Sequence, residues 1–343
     1  MGKSVVRATA AFLLMLLLTA CGTSRPPVDG TPEEGRSPEL TWNAIWLVYW
    51  DAEAVNEVAK RQAPPKANVA FACYYDDSGA IYMPDRLAEL GEAVRTLPGE
   101  HYLSVTNDVQ HADGTATQKD PEIVAFLLDS GMETAAQALL DTVLELQFDG
   151  LEIDFENIKE PSLWQRYAEF LSLLWQKASD AGILFRVVLP CSAPVDSLTL
   201  PEGPAYTVMC YNLFGTHSGP GPKADSAFLR KTAEKFQGVS NLSYTLAAGG
   251  FVWDSDGRAV RSVTEQQAVA ICRESGAVVT RDPDSAALTA VYQEGGETHT
   301  LVYADGITLA AWQSVLRSAA GEDASFDLWR AGGNLSVSAE TMK

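Results

Sequence analysis

Two hydrophobic periods alternate along the chain between residues 41 and 330. Short runs in which every second residue, or nearly every residue, is apolar are typical of β-strands. Longer runs with apolar residues three and four positions apart are typical of helices. The strand pattern recurs at residues 45–50, 68–75, 101–107, 148–156, 184–190, 205–212, 242–248 and 326–330. The helix pattern covers residues 53–61, 84–97, 121–146, 162–180, 227–236 and 307–319.

This alternation predicts an α/β fold, a (β/α)8 TIM barrel, because parallel strands connected by helices close into that architecture over about 250 residues. Residues 254–305 interrupt the alternation between the seventh strand and its helix. They contain a helical pattern at 264–275 and extended runs near 287–292 and 298–303, so we predict a small α+β insertion there. The barrel with its insertion is expected to occupy residues 41–343.

The fourth predicted strand carries a row of acids. Between Asp149 and Glu156, hydrophobic and acidic residues alternate with a period of two. Successive side chains of a strand point to opposite faces, so Glu152, Asp154 and Glu156 share one face, with neighbours about 7 Å apart. Carboxylates this close repel one another, which favours retention of a proton near neutral pH. A general acid requires such a proton.

The acidic row has two interpretations. A half-buried strand with one face in water shows the same alternation and needs no chemistry. However, residues 162–180 form an amphipathic helical pattern and residues 183–189 are mostly apolar, so the strand belongs to a βαβ unit whose sheet faces are covered. We favour the second interpretation, in which the row lies inside the barrel and reaches the end where active-site loops converge.

The stretch 149–156 resembles the DGxDxDxE signature on the fourth strand of glycoside hydrolase family 18, the chitinase-like enzymes. Glu152 stands where the signature has the first of its two inner aspartates. The resemblance implies that Glu156 is the catalytic acid. It also implies that Asp154 orients the acetamido group of the substrate and stabilises the positively charged intermediate. Glu152, deeper in the barrel, would share a proton with Asp154 and tune its pKa.

Two further stretches resemble the same family. Residues 209–212 match its MxYD motif on the sixth strand, with Asn212 in place of the aspartate. The resemblance implies that Tyr211 helps to hold the acetyl group of the substrate, with core packing as the alternative. Asn212 can still hydrogen-bond a sugar. On the last strand, Trp329 resembles the tryptophan that forms the floor of the sugar subsite. Trp253 is a second candidate sugar contact, again with core packing as the alternative.

The resemblance implies a hydrolase of β-linked N-acetylglucosamine polysaccharides, peptidoglycan or a chitin-like glycan. Family 18 enzymes retain the anomeric configuration and use the substrate's own N-acetyl oxygen as nucleophile, so neither a metal nor another cofactor is expected. The short barrel, the insertion and the tryptophan of the last strand resemble the spore-germination and cortex-lysis branch.

Two other classes of function compete with this hydrolase. The first is a sugar-binding lipoprotein on an inactive chitinase-like barrel, which the departures at Glu152 and Asn212 keep open, although the final glutamate of the signature is present. The second is a phosphate-handling barrel, which lacks support because the sequence has no glycine-rich phosphate loop.

Residues 1–20 have the pattern of a signal peptide. Lys3 and Arg7 precede an apolar run, residues 8–18, which is too short for a permanent membrane span. The run ends in Leu-Thr-Ala-Cys, which resembles a bacterial lipobox and implies that Cys21 is lipidated. Cleavage that leaves Cys21 unmodified is the alternative. Residues 21–40, rich in glycine, proline and small polar residues, predict a flexible linker. We therefore expect an exported protein that a lipid anchors to the cell membrane.

Charge and cysteine content narrow the partners. The formal net charge is −20 and the sequence has no basic stripe or polybasic patch, so neither nucleic acid nor anionic lipid headgroups are expected to bind. Cys73, Cys191, Cys210 and Cys272 have no zinc-ligand spacing and are interpreted as mainly buried apolar residues. A disulfide outside the cell is compatible with the sequence, which indicates neither a pairing nor an oligomeric state.

Overall fold

The computed structural model describes residues 40–334. The predicted signal peptide, Cys21 and all but the last residue of the predicted linker lie outside the described residues. Within the described part, a parallel sheet closes on itself into a barrel. Numbered in chain order, its strands are β1 (Ala44–Val48), β2 (Ala67–Asp76), β4 (Glu100–Gln110), β6 (Gly150–Asp154), β7 (Leu184–Pro190), β8 (Ala205–Met209), β9 (Leu242–Ala247) and β15 (Ser325–Trp329).

Each barrel strand pairs in parallel with the next one along the chain, and β15 pairs with β1 to close the ring. Two short strands, β3 (Ile81–Tyr82) and β5 (Ala116–Thr117), pair antiparallel with the final residues of β2 and β4. These two hairpins therefore extend the barrel wall at the carboxyl ends of its strands.

Helices cover the outside of the barrel and connect its strands. They are α1 (Val55–Ala59), α2 (Leu87–Val94), α3 (Pro121–Glu145), α4 (Pro161–Asp180), α5 (Ser226–Phe236) and α7 (Gly306–Ala320), with a 3-10 helix at Tyr49–Ala54 before α1. Between β7 and β8 the structure has only a 3-10 turn, Val195–Ser197. The predicted TIM barrel with an insertion before α7 is confirmed.

Helix α3 is long and apolar enough to span a membrane by length and composition alone. Its apolar residues are used differently here, because Val124, Leu139 and Val143 are buried in the core that the barrel shares with α4. It is therefore a barrel helix.

The two faces of the barrel wall have different neighbours. On β6, Leu151 and Ile153 point outward into the main hydrophobic core beneath the helices. Glu152 and Asp154 point inward, and both are buried. Gly150 permits this arrangement, because a Cβ there would lie 2.6 Å from the ring of Tyr102 on β4. The acidic row thus lies inside the barrel, and its interpretation as a solvated strand face is wrong.

The insertion between β9 and α7 is an antiparallel sheet backed by one helix. Its strands are β10 (Gly249–Trp253), β11 (Ala259–Val263), β12 (Val279–Arg281), β13 (Leu288–Glu294) and β14 (Glu297–Ala304), and its helix is α6 (Glu265–Ser275). The strands lie in the order β11-β10-β14-β13-β12. Ala268 and Cys272 of α6 pack on the sheet, so the insertion has a small core of its own.

The four cysteines in the described residues are free thiols: Cys73, Cys191, Cys210 and Cys272. Three of them are buried and Cys191 is half-buried. Burial raises the pKa of the Cys73 thiol to about 12, so it remains protonated at neutral pH. These residues therefore act as small apolar side chains in the described fold.

Candidate active site

A cavity of about 220 Å³ opens at the carboxyl ends of the barrel strands. This is the end of a TIM barrel at which active sites are found. Polar lining comes from the β4 and β6 side, and aromatic lining comes mainly from the β1, β2 and β15 side. The cavity lining includes four charged side chains, Asp108, Lys119, Asp154 and Glu156. It also includes large aromatic side chains, among them Trp50, Phe71, Tyr74 and Trp329.

A wider depression of about 480 Å³ lies elsewhere, between residues 195 and 240. It is bordered by Tyr206 near the start of β8 and by Val239 and Ser240 just before β9. The amino ends of barrel strands serve stability more than catalysis. We therefore place the site in the smaller cavity, where the acidic row ends.

Burial decreases along the acidic row toward the cavity. Glu152 is fully buried, Asp154 is 7% exposed, and the Glu156 side chain is 15% exposed. Only Asp154 and Glu156 line the cavity. The outermost carboxylate is thus the one that a substrate can reach, as the sequence predicted for a catalytic acid.

Glu152 is held in a buried ionic network. Its carboxylate accepts hydrogen bonds from Trp46 Nε1 at 2.8 Å and from Arg186 Nε at 2.6 Å. Arg186 also donates to Asp327 Oδ2 at 2.7 Å. Burial raises the pKa of Glu152, while Arg186 and the indole of Trp46 oppose that rise. Glu152 therefore hydrogen-bonds Arg186 and Trp46, whereas the sequence analysis expected it to share a proton with Asp154. Glu152 acts on Asp154 through its charge.

Asp154 has an environment that disfavours its charged form. Burial raises its pKa well above the ordinary value, and the nearby charges of Glu156 and Glu152 add to this rise. Its Oδ1 atom is buried and has no hydrogen-bond partner in the described structure. A buried polar atom without a partner is costly, so a hydrogen-bond donor that reached this oxygen would stabilise the site.

Glu156 is positioned by the side chain of Asn107 at the carboxyl end of β4. Asn107 Oδ1 accepts a hydrogen bond from the Glu156 amide at 2.8 Å, and Asn107 Nδ2 donates to the Glu156 carbonyl at 3.0 Å. The same amide group donates to the carbonyl of Asp120 at 2.9 Å. Asn107 thereby fixes the backbone of Glu156 relative to the loop that contains Lys119 and Asp120.

Lys119 forms an ion pair with the candidate acid. Its Nζ lies 2.5 Å from Glu156 Oε1. Burial alone would lower the pKa of Lys119, but the carboxylate of Glu156 outweighs it and raises the pKa above the ordinary value. The lysine is therefore charged in the cavity. Hydrophobic periodicity did not single it out, because residue 119 lies in a loop outside every predicted element.

Tyr211 and Asn212 follow the carboxyl end of β8. Tyr211 is half-buried, packs against the inner barrel cluster that contains Trp46 and Met209, and is not among the residues that line the cavity. Burial together with the charges of Glu156 and Asp154 raises the pKa of its phenol well above the ordinary value. It stays neutral and can donate a hydrogen bond. Asn212 is exposed, has a left-handed backbone with φ of 59°, and is not among the residues that line the cavity.

Trp329 lies at the end of β15 and lines the cavity. Its ring makes edge-to-face contacts with Phe71, at a centroid distance of 4.9 Å, and with Trp46 at 6.1 Å. Trp50, which the sequence analysis did not single out, extends this aromatic wall and is 47% exposed. Such flat apolar faces suit the apolar side of a pyranose ring.

Trp253 does not reach the cavity, so its candidacy as a sugar contact is corrected. It is fully buried in the insertion, where it packs with Ala287 and Val302, and its indole donates to the Ser218 carbonyl at 3.0 Å. A tryptophan with no exposed face cannot stack on a sugar. Core packing, which the sequence analysis gave as the alternative for Trp253, is therefore the role that the structure supports.

The described residues contain no cluster of three or more histidine, cysteine, aspartate or glutamate side chains that could hold a metal ion.

Comparisons with known proteins rest on structure, since neither a family model nor a curated sequence matches the chain. A chitinase from Chromobacterium violaceum superimposes with a TM-score of 0.71 at 16% identity, over 88% of this chain and 100% of that one. The spore cortex-lytic enzyme SleL of Bacillus cereus gives 0.71 at 13% identity, over 87% and 72%. A class V chitinase from Nicotiana tobaccum, in complex with NAG4, gives 0.69 at 12% identity, over 88% and 99%. The chain therefore has the chitinase-like fold of glycoside hydrolase family 18.

Proposed function

We propose that the protein is a glycosidase that cleaves β-linked N-acetylglucosamine polysaccharide, peptidoglycan or a chitin-like glycan, with retention of configuration. The observation that carries this proposal is the position of Glu156 at the cavity, next to Asp154 with its unpartnered oxygen. An acid beside a hydrogen-bonding group for an acetamido substituent is the minimum that substrate-assisted hydrolysis requires.

In this mechanism, Glu156 donates a proton to the glycosidic oxygen. The raised pKa of Asp154 means that the Asp154–Glu156 pair retains a proton that two isolated carboxylates would lose, and this proton is the source for the acid step. After the bond breaks, the glutamate accepts a proton from the incoming water.

The acetamido group of the substrate replaces a nucleophilic side chain. Asp154 accepts a hydrogen bond from the acetamido N–H through the oxygen that lacks a partner, and Tyr211 donates to the acetyl carbonyl. These contacts hold the carbonyl oxygen against the anomeric carbon as the oxazolinium ring closes. The negative charge that develops on Asp154 then faces the positive ring.

The experiment is product analysis by mass spectrometry after incubation of the full chain with N-acetylglucosamine oligomers and with peptidoglycan. We expect shortened products, and Glu156→Gln should reduce their rate of formation by about 10²–10⁴-fold. Glu169→Gln, on the exposed face of α4, is the matched control and should retain the rate. Unchanged activity in Glu156→Gln would refute the mechanism.

A sugar-binding protein without turnover is the second candidate. The ion pair between Lys119 and Glu156 favours it, since Lys119 Nζ at 2.5 Å occupies Glu156 Oε1, an oxygen that a catalytic acid would turn toward the substrate. Binding of the same oligomers by calorimetry, with every glycan recovered intact from the wild-type protein, would establish this function.

We also propose that the protein is anchored to the outside of the cell membrane through lipid on Cys21. The support is the signal-peptide pattern and the lipobox-like sequence before this residue. Metabolic labelling with a radioactive fatty acid should mark the wild-type protein and leave Cys21→Ala unmarked. Equal labelling of both would contradict the anchor.

A further inference from the structure

Lys119 is presented to the cavity by an ordered loop. Its amide donates a hydrogen bond to Asp108 Oδ1 at 2.7 Å, and its carbonyl accepts one from Asn157 Nδ2 at 3.2 Å. Its backbone is left-handed, with φ of 54°. The hydrogen bonds on both sides of the residue hold this backbone conformation, so the loop directs the side chain toward the cavity.

The ammonium of Lys119 has capacity for another acceptor. A lysine has three N–H donors, of which the pair with Glu156 uses one. The side chain of Lys119 is 48% exposed, on the open side of the cavity. An acceptor that enters with the substrate can therefore reach it.

A cation at this position is not explained by a neutral substrate. The carboxylates that line the cavity are Asp108, Asp154 and Glu156, and Lys119 is the one lining residue with an ammonium or guanidinium group among those described. N-acetylglucosamine chains carry no charge, and the lysine occupies Glu156 Oε1, one of the two oxygens that could face the glycosidic oxygen. The lysine becomes useful if the substrate supplies an anion that competes with Glu156 for it.

The distance from the reaction defines where that anion must be. A general acid lies about 2.6–3.2 Å from the oxygen that it protonates. Lys119 Nζ lies 2.5 Å from Glu156 Oε1, so it is within a few ångströms of the position of the glycosidic oxygen. That oxygen leaves with the departing sugar. A carboxylate on the substituent next to the cleaved bond of this sugar can reach the ammonium.

We infer that Lys119 recognises a carboxylate on the leaving-group sugar next to the cleaved bond, so that the preferred substrate is an acidic N-acetylated glycan. This inference rests on the proposed glycosidase function. A 3-O-lactyl group, the acidic ether of muramic acid, has this chemistry when the bond to the neighbouring O4 is cleaved. Its carboxylate would compete with Glu156 for the ammonium of Lys119 and leave Glu156 Oε1 free to face the glycosidic oxygen.

The test uses one glycan in two forms. An alternating chain of N-acetylglucosamine and N-acetylmuramic acid is compared with the same chain after its lactyl carboxylates are converted to methylamides. For the wild-type full chain we expect kcat/KM to be about 10–100-fold higher on the acid form, the range of a charge-assisted hydrogen bond. Lys119→Met should reduce this ratio to about one, whereas Lys119→Arg should preserve most of it.

The ratio separates recognition from simple positioning of the acid. A lysine that only oriented Glu156 would, when replaced by methionine, slow both forms equally and leave the ratio unchanged, which would overturn the inference. A wild-type ratio near one would also overturn it. Lys159→Met, an exposed lysine outside the cavity, is the control and should keep the wild-type ratio.

If the proposed glycosidase function is wrong, the same experiments give a different set of results. If the wild-type protein cleaves neither form, the hydrolase proposal fails, and calorimetric affinities for the two uncleaved forms decide the role of Lys119. Tighter binding of the acid form by the wild type, lost in Lys119→Met, would support recognition. Equal affinities would refute it.

Discussion

Glu152 and Glu156 stand on the same inward face of β6 and its continuation, yet their surroundings differ in nearly every respect. Glu152 is sealed in the barrel, with Arg186 and Trp46 bound to its oxygens. Glu156 faces a cavity and forms an ion pair with the partly exposed Lys119. Two glutamates at equivalent positions of the pattern thus have different roles: Glu152 stabilises the barrel, and Glu156 is available for chemistry. Their partners from other parts of the chain determine these roles.

The strongest test of the stabilising role of Glu152 is to remove the cation of its network, Arg186. Arg186→Met leaves Glu152 and Asp327 buried without a counter-charge, and loss of one partner of a buried pair costs about 3–5 kcal/mol. We expect the free energy of unfolding, measured by urea titration, to fall by this amount. Arg166→Met, which breaks an ion pair with Asp129 at the surface, is the control and should cost about 0–1 kcal/mol. Equal losses in both variants would show that the barrel network contributes little.

Asp154 lies between Glu152 and Glu156 in the acidic row, and we expect it to change how the free energy of unfolding depends on pH. Its pKa in the folded state is raised by burial and by Glu156 and Glu152, whereas an unfolded aspartate titrates near pH 4. Between those two values the folded state binds more protons than the unfolded state, so this residue makes stability decrease as pH rises through its folded pKa. Asp154→Asn removes that contribution.

The expected result is a stability difference, wild type minus Asp154→Asn, that falls steadily as pH rises above about 4. Each unit by which the folded pKa exceeds the unfolded value contributes about 1.4 kcal/mol to the total fall. Urea unfolding at several pH values measures it. Asp180→Asn, at the exposed end of α4, controls for loss of an aspartate as such. A difference that grows with pH would show that the charged form of Asp154 is the favoured one.

Much of the fold and part of the site could be predicted because hydrophobic periodicity encodes the direction of each side chain relative to its own strand. That suffices to place Glu152, Asp154 and Glu156 on one face and Leu151 on the other. It also gives the order of strands and helices that defines a TIM barrel. The predicted strand 148–156 is longer than the observed one, Gly150–Asp154, because the amide of Glu156 binds the Asn107 side chain and no strand partner.

The partners of those acids could not be predicted, because they come from distant parts of the chain. Arg186 meets Glu152 and Asp327 only when β7 and β15 have joined the closed barrel. A single arginine in an otherwise apolar strand is, in retrospect, a signal for a buried partner, since an unpaired charge would not be tolerated there. Lys119 lies in a connection where no period applies. Trp50, at the end of the predicted strand 45–50, lies beyond β1 in a 3-10 helix, so only the structure brings these two residues to the cavity.

The smallest expected effect concerns the aromatic wall, where the side chain of Trp50 is partly exposed. The ring contacts Phe71 at a centroid distance of 5.9 Å and the guanidinium of Arg330 at 5.8 Å, yet remains 47% exposed. If the wall binds a sugar away from the cleaved bond, Trp50→Ala should raise KM about fivefold, which corresponds to about 1 kcal/mol, and leave kcat nearly unchanged.

Phe126→Ala provides the matched control, since Phe126 is 48% exposed but lies on α3, outside the cavity lining. It should leave both constants unchanged. A fall in kcat without a change in KM for Trp50→Ala would place the tryptophan at the reacting sugar instead. The comparison between the two glutamates would then extend to the aromatic residues, because a side chain at the rim would contribute to the transition state as directly as Glu156 does.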